Sequence, residues 1–207
     1  MNNLLIIGAG GHAKVVVESA SKMKQWGKIA FLDDNYKTGS QCEGYPILGK
    51  LNSCSEFQND YKDLFVAIGE NKLRLDYMNK FSNIGFDIPN IIHPSAIISN
   101  TAKIARGVAI MANAVVNSSV VIGDVSIINT SASVDHDCVL HDGVHICPGV
   151  SLAGNVNIGR LSWIGIGSCV IEGIKIGEEV VVGAGAVVID NISKKKVVTG
   201  NPAKIIK

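Results

Sequence analysis

Every sixth residue from position 98 to position 188 is aliphatic: Ile98, Ile104, Ile110, Val116, Ile122, Ile128, Val134, Leu140, Ile146, Leu152, Ile158, Ile164, Val170, Ile176, Val182 and Val188. Four residues beyond each lies a small or β-branched residue, among them Ala102, Ala114, Cys138, Val150, Ser168 and Ala186. A helix repeats its apolar face every ~3.6 residues and drifts out of a sixfold register, and a strand alternating every ~2 residues does not run on for the ninety residues this register spans. A period of six with an aliphatic first position fits a parallel β-helix whose flat faces each take one hexad, three hexads making a coil. The sixteen hexads predict a little over five coils. Neighbouring coils stack at about the 4.8 Å spacing of paired strands, and each buries its aliphatic rung only against the next.

The N-terminal part has another rhythm. "NLLIIGAGGHAKVVVESASKMKQWG" predicts a buried strand, a glycine turn and a helix with Val16, Ala20, Met23 and Trp26 near helical spacing, ending at Gly27. "KIAFLDDN" and "LFVAIGENK" read as further strands and "NKLRLDYMNKFSNIG" as a second helix, a βαβ pattern with a short parallel sheet. The boundary is expected near Ile92, dividing a Rossmann-like α/β domain (residues 1–92) from the β-helix (residues 93–207). Gly8, Gly10 and Ala13 fit G-x-G-x-x-[GA], with Asp33 and Asp34 closing the next strand. Small residues at such a turn let a ligand phosphate approach the free N–H groups of a helix N-terminus. A tight turn without a ligand is the alternative, and His12 at that turn suggests a polar contact.

With 207 residues, 47% apolar residues and a formal charge of +1, the chain is expected to be soluble and globular, with no general attraction to nucleic acid. No apolar run reaches the roughly 20 residues that span a bilayer, and the N-terminus lacks signal-peptide character. A cytoplasmic location without membrane association is the expectation. Five cysteines (Cys42, Cys54, Cys138, Cys147, Cys169) with no CxxC pair argue against a disulfide framework or thiolate zinc site.

The opening "IIGAGGHAKVV", the later "FLDD" and "AIG", the unbroken hexads with "DHDC", "VHICPG" and "LAGNV", and the closing "GNPAK" together resemble the hexapeptide-repeat acetyltransferases that modify nucleotide-linked amino sugars, including the sialic-acid O-acetyltransferase-like proteins. The resemblance covers nearly the whole chain. It implies a left-handed β-helix, acetyl-CoA as cosubstrate, a homotrimer, and an N-terminal domain that binds the nucleotide sugar through Gly10, Gly11, His12, Asp33, Asp34 and Gly69. The activity implied is acetylation of the 4-amino group of a UDP- or dTDP-linked 4-amino-4,6-dideoxy sugar.

"SVDHDCVLHDGVHIC", residues 133–147, gathers three of the five histidines. Three converging imidazoles would make a zinc site, but one and two coils before His136 stand Ser118 and Asn100, so no metal is expected. With Val134 and Cys138 inward, Asp135, His136 and Asp137 project outward, as do His141 and His145. An outward imidazole flanked by carboxylates has what a general base needs; a solvated polar corner is the plain alternative. The resemblance implies His136 as base with Asp137 as partner, and His145, Ile166 and Ala184 as acetyl-CoA contacts; Asp135 stays open as the orienting acid. His141 matches no role. One coil beyond His136 is Gly154, which leaves room for a thioester and whose N–H is a candidate oxyanion donor. Ile166 and Ala184, one coil apart among glycines, suggest a smooth track for a pantetheine arm. Rival readings are sugar O-acetylation, an NAD-dependent oxidoreductase, a metal hydratase and a non-catalytic scaffold.

Overall fold

A computed structural model describes residues 1–207 and contains two layered units that share their cores. The N-terminal unit runs β1 (Leu4–Ile7), α1 (Gly11–Met23), β2 (Ile29–Leu32), β3 (Gln41–Cys42), β4 (Tyr45–Gly49), β5 (Asp63–Val66) and α2 (Asn71–Asn83). Its sheet has the order β3-β4-β2-β1-β5, parallel except for the antiparallel β3–β4 hairpin. The all-apolar run of β1 reflects burial on both faces: Leu4 and Ile6 join one core cluster, Leu5 and Ile7 the other. Because β2 and β5 flank β1 on opposite sides, the chain direction of the crossovers reverses there, and a crevice opens at the carboxyl ends of these strands.

The β3–β4 hairpin was not anticipated; its turn at Glu43–Gly44 has φ of 48° and 81°, the positive-φ pair of a tight hairpin. Helix α1 also stops short of the expected Gly27. Lys24 takes the left-handed conformation (φ 56°) and closes the helix, after which Trp26 Nε1 donates to Asp63 Oδ2 at 2.6 Å and ties the segment to β5.

The C-terminal unit is a left-handed parallel β-helix with three sheets of two-residue rungs. The first face carries Ile91–Ile92, Ala109–Ile110, Ile127–Ile128, His145–Ile146, Trp163–Ile164, Val181–Val182 and the closing strands. The second begins at Ile97–Ile98 and includes Ser133–Val134 and Ser151–Leu152; the third begins at Lys103–Ile104 and includes Val139–Leu140 and Asn157–Ile158. Ladder residues from Ile110 to Val188 fill the interior with the smaller series between them. The first rung, Ile91–Ile92, pairs with Ala109–Ile110, so winding starts one hexad before Ile98. The last coil is two residues short, since Val182 pairs with Val198.

From residue 107 to residue 185 each corner turns through a left-handed residue, and most of these are Gly, Asn, Ser or Asp, which tolerate positive φ. On the edge between the third and first faces the rule is broken by Glu179 (φ 54°) and by two bulky apolar residues, Val125 (φ 50°) and Leu161 (φ 61°). Such a conformation costs a side chain with a Cβ roughly 1–2 kcal/mol. Val125 is buried in the N-terminal core, where a side chain of this size gains about 1.5–3 kcal/mol, and Leu161 packs partly buried against the same cluster. The N-terminal unit thus seats on this edge and on the first face, where Ala109, Met111 and Ile127 join its other core cluster.

Candidate active site

Two groups of polar side chains stand out, on different parts of the prism. The first lies on the edge between the second and third faces. Here the rung Ser133–Val134 ends, Asp137 makes the left-handed turn (φ 60°), and Cys138 goes inward with its thiol to the Ala153 carbonyl. That turn carries the Asp137 carboxylate back to its neighbour, so that His136 Nδ1 and Asp137 Oδ2 are 2.9 Å apart. Asp135 does other work: its Oδ1 accepts from the His136 backbone N–H at 2.8 Å and from Asn117 Nδ2 at 2.9 Å. Of the two acids left open by the sequence, Asp137 is the one that meets the ring. Its hydrogen bond, followed by the charge of Asp135, raises the His136 pKa above the ordinary histidine value.

The ring lies over Gly154, the residue one coil further on. The Gly154 carbonyl accepts from Gly173 N–H at 3.0 Å, while its own N–H makes no backbone hydrogen bond. An exposed imidazole with one nitrogen fixed by a carboxylate, the other free, and a backbone donor alongside can relay a proton and steady a developing oxyanion.

The second group surrounds the crevice of the N-terminal sheet, a pocket of about 390 Å³ lined by Gly10, Gly11, His12, Asp33, Asp34 and Gly69 among others. Gly10 caps α1 with extended backbone and no side-chain bond, and no acid occupies the first turn, so the helix N-terminus is open toward the pocket. The contrast with α2 is sharp, because the Glu70 carboxylate there already accepts from the N–H groups of Lys72 and Leu73. Asp33 accepts from Ala9 N–H at 2.7 Å and Asn35 N–H at 2.8 Å, and Asp34 from Leu51 N–H at 3.1 Å. Both acids therefore shape the pocket walls in addition to lining them.

Outward on the prism did not mean solvent-facing for His145. The N-terminal unit covers it: its ring lies 6.4 Å from that of His12 and edge-on to Trp163 at 6.3 Å, with Asn129 Nδ2 at 3.2 Å from Nε2. His12 Nε2 and His145 Nδ1 are buried without a hydrogen bond of full geometry. Burial first, and then the charge of Arg74, push His12 down to about 4 and His145 down to about 3. Ile166 and Ala184 are exposed on the edge between the first and second faces, so one chain does not bring them to His136. His141 is exposed on the third edge, against an open polar groove with Arg160 and Lys175, and does not converge with His136. No group of three or more His, Cys, Asp and Glu side chains with metal-holding geometry occurs, and no helix is long and apolar enough to cross a membrane.

Asn117, Asn129, Trp163, Asn71 and Arg74 escaped the sequence reading. For the last two a signal existed: Asn71, Arg74, Leu75, Met78 and Phe81 share the buried stripe of α2, where polar residues need a partner.

A β-helix with an edge-mounted histidine beside a glycine, joined to a nucleotide-type crevice, defines a hexapeptide acyltransferase. Residues 3–81 match the PglD N-terminal domain family. The UDP-N-acetylbacillosamine N-acetyltransferase of Bacillus subtilis (strain 168) is 35% identical over 54% of this chain, and the chain spans about half of that enzyme's length, 52%. A variant of GDP-perosamine N-acetyltransferase from Caulobacter crescentus, solved with CoA and GDP-perosamine, superimposes with a TM-score of 0.96 at 38% identity, covering 100% of this chain and 98% of that one. The acetyltransferase domain of PglB from Neisseria gonorrhoeae FA1090, in complex with acetyl coenzyme A, gives a TM-score of 0.95 at 42% identity, covering 100% of both chains. The chain belongs to the nucleotide-linked amino-sugar N-acetyltransferases of the hexapeptide acyltransferase family.

Proposed function

We propose that the protein transfers the acetyl group of acetyl-CoA to the 4-amino group of a nucleotide-linked 4-amino-4,6-dideoxy sugar, with UDP or dTDP as the nucleotide, and that His136 is the general base. The observation that carries this reading is the 2.9 Å contact of His136 Nδ1 with Asp137, which leaves Nε2 over Gly154 to accept a proton.

The amine nitrogen attacks the thioester carbonyl carbon, and the tetrahedral oxyanion takes the Gly154 N–H. His136 Nε2 removes the ammonium proton, the C–S bond breaks, and CoA leaves as thiolate to be reprotonated from the imidazolium. Holding amine and thioester side by side supplies several kcal/mol of the barrier. Gly10, Gly11 and His12 at the open α1 N-terminus, with Asp33, Asp34 and Gly69, would receive the nucleotide sugar; His145, Ile166 and Ala184 would receive acetyl-CoA.

A homotrimer belongs to this reading. His136 sits on one edge of the prism, Ile166 and Ala184 on another, and the nucleotide crevice against the first face. Closed threefold packing would bring the His136 edge of one copy to the acetyl-CoA edge of the next. Exposed Ile97, Ile166, Ile171 and Ile189 on these surfaces favour such packing.

The test is acetyl transfer across UDP-, dTDP- and GDP-linked 4-amino sugars, followed by CoA release, with wild type and His136→Ala. A loss of roughly 10²–10⁴-fold in kcat for the variant supports the base. Undiminished turnover removes His136 from proton transfer. Acetylation of a hydroxyl acceptor only, such as sialic acid, would move the chain to the O-acetyltransferase reading.

A further inference from the structure

Arg74 lies in the first turns of α2, 1% exposed, with no carboxylate at ion-pair distance. Its guanidinium nonetheless uses every N–H. Nη1 donates to the carbonyls of Ile68 and Gly69 at 3.0 Å each, Nε to Val125 O at 2.7 Å, and Nη2 to Gly143 O at 3.1 Å and Asn71 Oδ1 at 2.9 Å. Asn71 extends the pattern by donating to Leu161 O at 3.0 Å and Ser162 O at 3.2 Å. Val125, Gly143 and Leu161 are the left-handed corner residues of three successive coils. One side-chain pair therefore grips the same corner carbonyl on three coils and, at its other end, the loop that floors the nucleotide crevice.

We propose that Arg74 is a positioning residue for nucleotide-sugar binding, registering the Ile68–Gly69 loop of the crevice against the corner of the β-helix. This rests on the function proposed above, since it takes the crevice to hold a nucleoside diphosphate. Arginine suits the task because its planar fork satisfies acceptors on both sides at once, which a lysine ammonium cannot. A buried cation whose acceptors are all neutral is costly to the fold on its own. A diphosphate at the open α1 N-terminus would add the missing negative charge on the far side of the Gly69 loop. That the charge of Arg74 is felt at both His12 and His145 is consistent with its lying under the crevice.

Calorimetry on the full chain tests this, with UDP, GDP and dTDP as probes on one side and acetyl-CoA on the other. If wild type binds none of the nucleotides, the proposed function fails and the role of Arg74 fails with it. If wild type binds one, Arg74→Gln is expected to weaken that nucleotide by roughly tenfold or more while acetyl-CoA stays within about twofold, and Arg74→Lys to fall between. An unchanged nucleotide affinity, or equal losses for both ligands, overturns the proposal. Hydrogen exchange on wild type decides the case in which neither variant folds. Nucleotide binding should slow exchange in residues 67–74 and also at the corners 125–126, 143–145 and 161–163; protection confined to residues 67–74 overturns it.

Discussion

The His136 imidazole occupies the space that any side chain at Gly154 would need: a Cβ placed there would lie 2.6 Å from both Nε2 and Cε1. The ring is the rotatable end of an exposed side chain, so the fold can yield by moving it, but the proposed chemistry cannot. Gly154→Ala should fold with a thermal midpoint within a few degrees of wild type and lose on the order of 10²-fold in kcat. Acetyl transfer beside a thermal melt checks it, and full activity would show that the ring position is unimportant.

The acid limb of the pH–rate profile should report His136. Its pKa is raised by the Asp137 hydrogen bond and then by the Asp135 charge, so loss of activity on acidification should begin above the ordinary histidine value of 6.5. Asp137→Asn removes the strongest of these influences, which should move the limb to lower pH while reducing the maximum rate. A limb that stays in place would assign the titration to another group.

Two buried neutral histidines make the junction acid-sensitive. Unfolded histidine titrates near 6.5, whereas folded His12 and His145 do so at about 4 and about 3. The unfolded chain therefore binds the extra protons as pH falls. Stability is fully present above 6.5 and declines from there toward 4 and 3, by up to roughly 2–4 kcal/mol per histidine. Denaturant melts between pH 7.5 and 4.5 should record the decline, and a His12→Gln, His145→Gln double variant should flatten it.

Ile146 tests the ladder. It is fully buried between Ile128 and Ile164 in the first face. Ile146→Ala leaves a cavity that neighbouring rungs can close only partly, and should cost roughly 2–5 kcal/mol in chemical denaturation. A cost under 1 kcal/mol would mean that the coils relax around the gap.

The α/β unit followed by a β-helix was legible because its evidence is local and repeated. Every inward rung from Ile98 to Val188 restates the same register, and the glycine turn after β1 needs only a few neighbours. The same register put Gly154 beside His136, since eighteen residues bring the chain back to the same corner. Which acid meets that imidazole was not legible: Asp135 and Asp137 flank it equally in sequence, and only the left-handed turn at Asp137 swings one carboxylate to Nδ1.

The periodic pattern determined by itself which side chains leave the prism, because alternation and period are properties of a single strand. What awaits them outside was decided by tertiary structure. His145 and His136 both point outward, yet the first is partly covered by the N-terminal unit and the second stands in solvent. Arg74 lies on the apolar stripe of α2, but what it meets there, the corner carbonyls of two coils with Asn71 reaching a third, is set only by the docking of the two units. Burial, and with it every shifted pKa at the junction, depends on the docking of units distant in sequence, which no repeat within either one encodes.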